Sequence, residues 1–488
     1  MKEAEKKIFN SEDTEVITVY PDQEPEQTEV TEFWYEEGES IKLNRQQFLK
    51  FLEIKGFRKL FIGKDYIFVQ IENNIVKEIG TVNIKDFVAD YIKNLGIERE
   101  DTFEYDLILS KVINQSSTLF SRNFLEFLPN LDWKFKRDTE VESYIYFQNC
   151  FVKVTKGGYE VHNYEELDGY IWESQKLKRE FYKSDIKSVF VQFMFRICKE
   201  DPERFNSLRS AVGYLLHSYK NPASAKAIVF IDERPGEGAN GRCGKGLVGK
   251  AIGKIRNSVQ SNGKNFKFDR FMFQSVKPDT AIIEFSDIEK NFHFENLFSI
   301  ITDDMPTEKK NKDEIIIPFE SSPKILITTN YAIKGVDAST LDREFVLEFS
   351  DHYNENHKPI EEFGKKFFES WNKEEWNSFY NFMIGCLLFY LKNGLVEYER
   401  INLNRKMLIE STAEEFIEFM EDIEFGKRYD KKELYQKFID NYTDFNKLHQ
   451  KTFTGWIKIY AKLCDLKYED KNSGNSKGFI LLKSVRMD

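Results

Sequence analysis

The sequence predicts an α/β protein built around a sheet whose strand ends carry a site, and three stretches of chain lead to this prediction. Residues 227–255 contain a buried-strand run, a glycine-rich loop and a helical stretch. Residues 280–287 and 323–330 are two further apolar runs, and each of them ends in polar side chains. Strands that alternate with helices and end in polar residues are typical of sheets that bind a ligand at the strand ends.

Length and composition indicate several well-cored domains. The chain has 488 residues, enough for about three domains. Phenylalanine alone accounts for 45 residues, which excludes a largely disordered protein. The apolar runs are shorter than the ~20 residues that span a bilayer, and the N-terminus carries no apolar signal region. Five scattered cysteines without a Cys/His cluster argue against a disulfide framework or a zinc site. We therefore expect no membrane partner and a cytoplasmic location.

The pattern along the chain divides it into four parts. Residues 1–30 form an acidic arm that we expect to be disordered. Residues 31–204 mix short β-like and helical runs, an α+β region without recognisable chemistry. Residues 205–400 contain the alternating strands and helices, and residues 401–488 contain three helical runs followed by a β-hairpin pattern. This last order predicts a winged-helix-like module.

The glycine-rich loop has the parts of a phosphate cradle. Glycines let backbone N–H groups approach phosphates, the following helix adds its positive N-terminal end, and a lysine reaches the β and γ oxygens. The residues that would bind a nucleotide here are Gly241, Arg242, Cys243, Gly244, Lys245 and Gly246. Two positions depart from the usual pattern, since Ala239 replaces its first glycine and Gly246 replaces its hydroxyl residue. On this segment alone, a glycine-rich surface loop with an exposed lysine explains the sequence equally well.

The next two strands favour the nucleotide interpretation. The run at 280–287 ends in Ser286 and Asp287, at the place where a carboxylate would meet a metal ion or an attacking water. The run at 323–330 ends in Asn330, which would orient that water. Acidic residues also often do no more than end a strand. Three strands with fitting ends in this order are difficult to explain as core packing alone.

A family resemblance becomes specific over these segments. Residues 286–302, the basic stretch 309–312 and residues 317–331 resemble the motor core of superfamily 3 helicases. They are most similar to the phage and plasmid primase-associated helicases, including relatives in mobile elements of Bacteroidetes. Residues 213–220 and 362–371, with Gly394 and Leu395, are also similar. The likeness is dense over 205–395 and thinner over 30–205.

The resemblance implies an AAA+-like P-loop ATPase that uses ATP and Mg²⁺. Such motors assemble as hexameric rings and move along single-stranded DNA at replication forks. By this likeness Lys245 binds phosphate, Asp287 is the second of two paired acids, Asn330 is a sensor, and Arg343 reaches the γ-phosphate of a neighbouring subunit. The position before Arg343 is Asp342, whereas the resembled motors often have an arginine there. Primase motifs are missing from the sequence, so a separate primase is a possible partner in the cytoplasm of a bacterial host.

The expected metal site is altered in two places. Relatives hold Mg²⁺ with a P-loop Ser or Thr and the first of the two acids, where this chain has Gly246 and Ser286. Ser286 and Asp287 remain as candidate metal ligands. Glu284 shares a strand face with Ser286 about 6.6 Å deeper, whereas Asp287 would point the other way. Two functions therefore stay open: an ATP-dependent helicase, and a ring that binds nucleotide without rapid hydrolysis and serves as an origin-binding or loading platform.

A net charge of −11 requires that any DNA surface be a local patch. Lys309, Lys310 and Lys312 form one basic cluster, which in the resembled motors projects into the ring channel; otherwise it is a solvated turn. A second basic surface surrounds Trp456 and Tyr460 in the C-terminal module and includes Lys447, Lys451, Lys458 and Lys462. It is either a DNA-binding helix with a wing or a basic helix packed on the ring.

Overall fold

The protein folds into two compact units with mixed α/β structure, one parallel sheet and several small sheets. The computed structural model describes residues 32–38, 40–62, 65–132, 135–233, 242–263, 272–277, 279–289, 292–308, 315–331, 338–398, 407–409, 411–474 and 476–483. The first unit ends at Phe181, and the second begins at Tyr182. The acidic arm predicted at residues 1–30 lies outside the described residues.

The first unit combines small sheets with helices. Its strands are β1 (Trp34–Glu37), β2 (Ser40–Leu43), β3 (Phe57–Ile62), β4 (Asp65–Glu72), β5 (Ile75–Ile79), β6 (Glu142–Tyr146), β7 (Phe151–Thr155), β8 (Gly158–His162) and β9 (Ile171–Trp172). Its helices are α1 (Arg45–Ile54), α2 (Thr81–Glu98), α3 (Thr102–Asn114), α4 (Ser116–Leu119) and α5 (Arg122–Leu125). Sheets form in the orders β1-β2, β3-β4-β5-β9 and β6-β7-β8. Aromatic residues dominate the core, where Phe33 contacts the rings of Phe48 and Phe51 at centroid distances of 4.9 Å.

The second unit contains the strands and helices that the sequence places around the site. Its first part comprises α6 (Val189–Ile197), α7 (Pro202–Leu216), β10 (Ala227–Asp232), α8 (Lys245–Gly253), β11 (Ser258–Asn262), β12 (Ile282–Ile288), α9 (Phe298–Thr302), β13 (Met305–Thr307), β14 (Ile315–Ile317), β15 (Lys324–Thr329), α10 (Ala338–Arg343), β16 (Glu344–Phe349), α11 (Pro359–Phe363) and α12 (Lys373–Asn393). The helices α6 and α7 begin before residue 205, and they belong to this unit.

Five parallel strands form the central sheet in the order β11-β12-β15-β10-β16. β10, β15 and β16 are buried along their whole length, as expected for strands covered on both faces. After β10, the chain crosses to the edge of the sheet, where it forms β11. The next strands, β12 and β15, fill the positions between β11 and β10. The last strand, β16, then pairs with the other side of β10. The sheet order therefore reverses next to β10. In such sheets ligands bind in the crevice beyond the carboxyl ends of the strands at this reversal.

Two long helices of the second unit cross at a glycine. A Cβ at Gly213 of α7 would lie 2.2 Å from the backbone oxygen of Cys386 in α12. The absence of a side chain therefore allows the two helix backbones to approach directly. The tight crossing anchors the helical layer that accompanies the sheet.

The C-terminal part consists of α13 (Glu414–Glu421), β17 (Arg428–Asp430), α14 (Lys431–Asn441), α15 (Gln450–Leu463), β18 (Leu466–Asp470) and β19 (Gly478–Lys483). The strands form an antiparallel sheet in the order β17-β19-β18. Phe416, Phe438 and Phe453 meet edge to face or tilted in the core between the helices. Across the part of the chain that the structure describes, no helix is both long enough and apolar enough to cross a bilayer.

Candidate functional site

The glycine-rich loop ends in a left-handed turn that delivers Lys245 to the sheet. Gly244 has φ = +103°, and a Cβ there would lie 2.8 Å from Cζ of Phe193. Both the backbone angle and the space therefore require glycine at this position. Arg242 precedes the turn, also with positive φ (+66°), and is exposed. Gly241 lies outside the described residues. Lys245 follows as the first residue of α8.

The Lys245 ammonium lies at the carboxyl ends of β10 and β15. Its Nζ is 2.5 Å from Oδ1 of Asp232, the last residue of β10, and 2.7 Å from Oδ1 of Asn330, which follows β15. Lys245 is only 6% exposed and Asp232 only 5%. The alternative of a surface loop with an exposed lysine is wrong, because Lys245 is buried and Asp232 is a buried partner for its charge. Two of the predicted site residues, Lys245 and Asn330, are in direct contact.

Cys243 contributes a neutral hydrogen-bond donor to the same carboxylate. Its Sγ donates to Oδ1 of Asp232 at 2.6 Å. Burial raises the pKa of the Cys243 thiol to about 12. A thiol with such a pKa is not a nucleophile at neutral pH. Cys243 therefore helps to hold Asp232.

The strand that carries Asp287 contains a β-bulge. Phe285 pairs with Ile327 and Ile288 pairs with Thr329, so β12 has one residue more than β15 over this stretch. Asp287 lies within this bulge and has a left-handed backbone conformation (φ = +54°). Its backbone N–H donates to Oγ1 of Thr328 at 3.1 Å. The simple alternation that predicts opposite faces for Ser286 and Asp287 does not apply at a bulge. The Asp287 side chain is exposed near the carboxyl end of the strand.

Ser286 and Glu284 share one face of β12, as alternation predicts. Oγ of Ser286 donates to Oε1 of Glu284 at 3.1 Å, and Nε2 of Gln260 donates to Oγ of Ser286 at 2.7 Å. Glu284 is buried against α8, since a Cβ at Gly249 would lie 2.9 Å from each of its carboxylate oxygens. Burial raises the pKa of Glu284. The carboxylate is thus close to α8, which follows the glycine turn, but deeper in the protein.

The two altered positions, Gly246 and Ser286, are both nearer the carboxyl edge of the sheet than the contact between Glu284 and Gly249. Glu284 lies beside Gly249, and Ser286 is two strand residues, about 6.6 Å, nearer the carboxyl edge. The helix α8 begins at this edge and runs away from it. Gly246 is three residues before Gly249 in α8 and is therefore about 4.5 Å nearer the edge. Within the part of the chain that the structure describes, a Cβ at Gly246 would meet nothing within 4 Å. Among the described residues there is therefore room for a larger side chain at this position.

Arg343 lies away from the other candidate residues of its own chain. It is the last residue of α10 and directly precedes β16. In the register of the sheet Glu344 pairs with Ala227, whereas Asp232 pairs with Phe349. Arg343 is thus at the amino edge of the sheet, roughly 17 Å of strand away from the edge that holds Lys245. Its guanidinium lies over the Phe298 ring, with Cζ 4.8 Å from the ring centroid.

The first basic cluster, Lys309, Lys310 and Lys312, lies outside the described residues. The two strands that flank it, β13 and β14, pair antiparallel, with Thr307 opposite Ile315. The chain therefore reverses direction between them.

The second basic surface is carried by α15. Lys451, Lys458 and Lys462 are exposed at spacings of seven and four residues, which places them on one face of the helix. Trp456 packs against Phe416 with a centroid distance of 5.4 Å, and Tyr460 is buried. Tyr460 therefore belongs to the core, and Trp456 packs against it while partly exposed.

Comparison with known proteins gives a distant structural similarity. No protein-family model matches the chain, and no curated protein matches it. Among solved structures, the apo structure of the NrS-1 C-terminal region (305–718) is 13% identical, with a TM-score of 0.40, and the match covers 89% of this chain and 98% of that chain. Two A-form apo structures of the same region have 13% and 14% identity and TM-scores of 0.39 and 0.40, with the same coverage.

The site also contains residues that the motif did not predict. Asp232 ends an apolar run directly before the glycine-rich loop, and this position is the sequence feature that would have drawn attention to it. Gln260 lies on a mostly polar strand without an apolar pattern. Its place beside Ser286 follows only from strand pairing.

Proposed function

We propose that the chain is an ATP-dependent DNA helicase that serves replication of a phage or mobile element and moves along single-stranded DNA as a hexameric ring. The observation that carries the proposal is the buried ammonium of Lys245. It stands behind a left-handed glycine turn and contacts the ends of two neighbouring parallel strands through Asp232 and Asn330.

The sheet supports the nucleotide part of this proposal. Lys245, Asn330, Ser286 and Asp287 come from three different segments, and all four lie at the carboxyl edge of one parallel sheet. The order of the strands reverses at β10, next to the lysine. Phosphate-binding loops in α/β proteins occupy this position.

Each residue then has a role in binding and hydrolysis. Lys245 would exchange its contacts with Asp232 and Asn330 for oxygens of the β and γ phosphates, and the N–H groups of the turn would bind neighbouring oxygens. Asn330 would orient the attacking water, and Asp287 would accept its proton or contact the metal. Ser286 would hold Mg²⁺ through water, since Mg²⁺ keeps several of its waters and rides on the phosphates.

The DNA part of the proposal rests on the basic surfaces. Six copies of Lys309, Lys310 and Lys312 would line a ring channel with positive charge. The order of helices and strands from α13 to β19, with lysines on one face of α15, also supports a winged-helix module that contacts phosphates. A separate primase is a proposed partner.

A second candidate function follows from Gly246 and Ser286. A ring that lacks two metal ligands would bind nucleotide tightly enough to assemble but hydrolyse it slowly. Such a ring would serve as an origin-binding or loading platform. DNA-stimulated phosphate release separates the two functions, because only the helicase requires turnover coupled to DNA.

The test uses a variant that removes the ammonium without leaving a buried charge. Lys245→Met alone would leave the buried Asp232 carboxylate without its positive partner, which costs about 3–5 kcal/mol of folding free energy. We therefore combine Lys245→Met with Asp232→Asn and compare it with Lys254→Ala, which removes an exposed lysine from the end of the same helix region. We expect the double variant to lose ATP binding and DNA-stimulated phosphate release, and Lys254→Ala to retain both.

Two results would decide against parts of the proposal. A folded double variant that hydrolyses ATP at the wild-type rate would exclude the phosphate-binding role of Lys245. Wild-type protein that binds ATP without DNA-stimulated phosphate release would favour the platform over the helicase.

A further inference from the structure

A cluster of two histidines and one glutamate follows β16, outside the nucleotide site. Nε2 of His352 is 3.2 Å from Oε2 of Glu362, and Nε2 of His357 is 3.5 Å from the same oxygen. The three ligand atoms lie within 4.8 Å of one another. Both imidazole rings therefore direct the same nitrogen toward one carboxylate.

The loop holds the histidines in this arrangement through its own contacts. The backbone N–H of Asn354 donates to the carbonyl oxygen of His357 at 2.9 Å, and the N–H of Asn356 donates to Oδ1 of Asn354 at 2.9 Å. The His357 ring stacks on Tyr353 at a centroid distance of 5.5 Å with an interplanar angle of 15°. Little reorganisation is needed to bring the two imidazoles to a common ligand.

Glu362 is oriented by two further groups. The Tyr353 hydroxyl donates to Oε2 at 2.8 Å, and Nε of Arg196 donates to the other oxygen, Oε1, at 3.2 Å. Carboxylate ligands of metal ions are commonly fixed by such outer hydrogen bonds. The positive charge of Arg196 would repel a cation bound by Glu362. Because the three ligand side chains are 21–42% exposed, solvent screens this repulsion.

We propose that His352, His357 and Glu362 form a binding site for a divalent transition-metal ion, with zinc as the best match. Bond lengths of about 2.0–2.2 Å in a tetrahedral zinc site place neighbouring ligand atoms about 3.4 Å apart. The two N–O distances of 3.2 and 3.5 Å bracket this value. Two imidazoles and one carboxylate suit zinc rather than Mg²⁺, which prefers oxygen ligands. Three protein ligands leave a fourth position open.

The sequence pattern does not reveal this site, because none of the three proposed ligands is a cysteine. The expectation that zinc is not bound rests on the scattered cysteines and the lack of a Cys/His cluster, and it does not consider a site made of histidine and glutamate alone. The spacing of His352, His357 and Glu362 is regular, at five residues each, but matches no helix or strand period. Only the folded loop and α11 bring them together.

The site is connected to the nucleotide turn through α6. Oγ of Ser350 donates to the carbonyl oxygen of Arg196, and the Tyr353 ring stacks on Phe193 at 5.4 Å. Phe193 in turn occupies the space beside Gly244. A metal ion would fix the loop against the helix that supports this turn. The binding itself does not rest on the proposed function.

The test is calorimetric titration of metal-free full-length protein with zinc chloride in the absence of nucleotide. We expect one equivalent of zinc per chain, and His352→Gln or His357→Gln to weaken its binding at least about tenfold. His162→Gln is the matched control, because His162 also lies between two glutamates, Glu160 and Glu166, at 3.3 and 2.8 Å. It should bind zinc as the wild type does. Cobalt bound in place of zinc should give visible absorption that both site variants lose.

Zinc binding that is unchanged in both histidine variants, or missing from the wild type, would overturn the proposal. If the histidines only form hydrogen bonds with Glu362, zinc will not bind, and the variants will instead lose thermal stability. The Lys245→Met and Asp232→Asn double variant separates this result from the nucleotide site. It should still bind zinc when ATP binding is lost.

Discussion

The ion pair between Lys245 and Asp232 fixes the position of the lysine at the end of the glycine turn. Both groups are buried, and burial of two charges removes much of their hydration. A triphosphate would bring negative oxygens to the same ammonium and would replace the Asp232 contact. In the absence of such a ligand, Asp232 holds the ammonium of Lys245 in place and balances its charge.

The open space at Gly246 and the position of Ser286 lead to a prediction about the metal ion. The double variant Gly246→Thr with Ser286→Asp should hydrolyse ATP faster or at a lower Mg²⁺ concentration. The threonine hydroxyl fits, since a Cβ at Gly246 meets nothing within 4 Å. The new aspartate would lie beside Glu284, and a cation would offset the repulsion between the two carboxylates. Steady-state phosphate release over a Mg²⁺ series measures the effect.

The two single variants are the controls for this prediction. Ser286→Asp alone should need more Mg²⁺ than the double variant, because the repulsion is present without the second ligand. A double variant that is no better than the wild type at any Mg²⁺ concentration would mean that the two natural residues are not a defect.

Among the elements, the crossing of α7 and α12 offers a test of packing. Gly213→Ala should lower the free energy of unfolding of the second unit by about 1–3 kcal/mol, because the added methyl group would overlap the Cys386 carbonyl oxygen. Gly385→Ala, in the middle of α12, should be neutral or stabilising by up to about 1 kcal/mol, since a Cβ there meets nothing within 4 Å. Thermal unfolding of the two variants measures the difference. Equal stability of the two would contradict the tight crossing.

The basic cluster between β13 and β14 leads to a prediction about DNA. Replacing Lys309, Lys310 and Lys312 with alanine should weaken binding of single-stranded DNA equally for all sequences. It should also reduce the slope of log affinity against log salt concentration by up to about 2, if all three lysines contact phosphates. Fluorescence anisotropy with labelled oligonucleotides over a salt series measures both quantities.

A charge-matched control accompanies this experiment. Lys50, Lys93 and Lys111 are exposed lysines on α1, α2 and α3 of the first unit, and their triple alanine variant changes the net charge by the same amount. We expect it to retain the wild-type salt slope. If the cluster variant binds DNA as the wild type does, Lys309, Lys310 and Lys312 are a solvated turn.

Local sequence patterns predict three of the five strands of the central sheet. β10, β12 and β15 are visible as apolar runs, and the glycine-rich loop marks the start of α8. β11 is not visible, because Ser258–Asn262 is an edge strand with mostly polar residues. The bulge at Asp287 and the Asp232 partner of Lys245 depend on contacts between segments far apart in sequence. Such contacts leave no periodic pattern.

On the scale of the whole molecule, the place of Arg343 bears on assembly. It lies at the amino edge of the central sheet, while Lys245 lies at the carboxyl edge of the same sheet. Within the described residues its contacts are the Phe298 ring and the carbonyl oxygen of Ser339, and it forms no ion pair with Asp342 or Glu344. Arg343 is therefore too far from Lys245 of its own chain to act at the proposed nucleotide site there. If it contributes to hydrolysis, it must act on the site of another copy.

A mixing experiment tests whether Arg343 completes a neighbour's site. Arg343→Ala alone should reduce phosphate release by roughly 10³ to 10⁵, the range of arginine fingers in other phosphoryl-transfer enzymes. Arg343→Ala subunits mixed with subunits carrying Lys245→Met and Asp232→Asn should regain activity. About a quarter of the interfaces in random rings would then join an intact Lys245 to an intact Arg343. A mixture of the Lys245 variant with Asn330→Ala is the control, because both defects lie in the same half of the site and no interface is complete. Differently tagged subunits that co-purify establish that mixed rings form. If such rings are as inactive as either variant alone, Arg343 does not act between subunits.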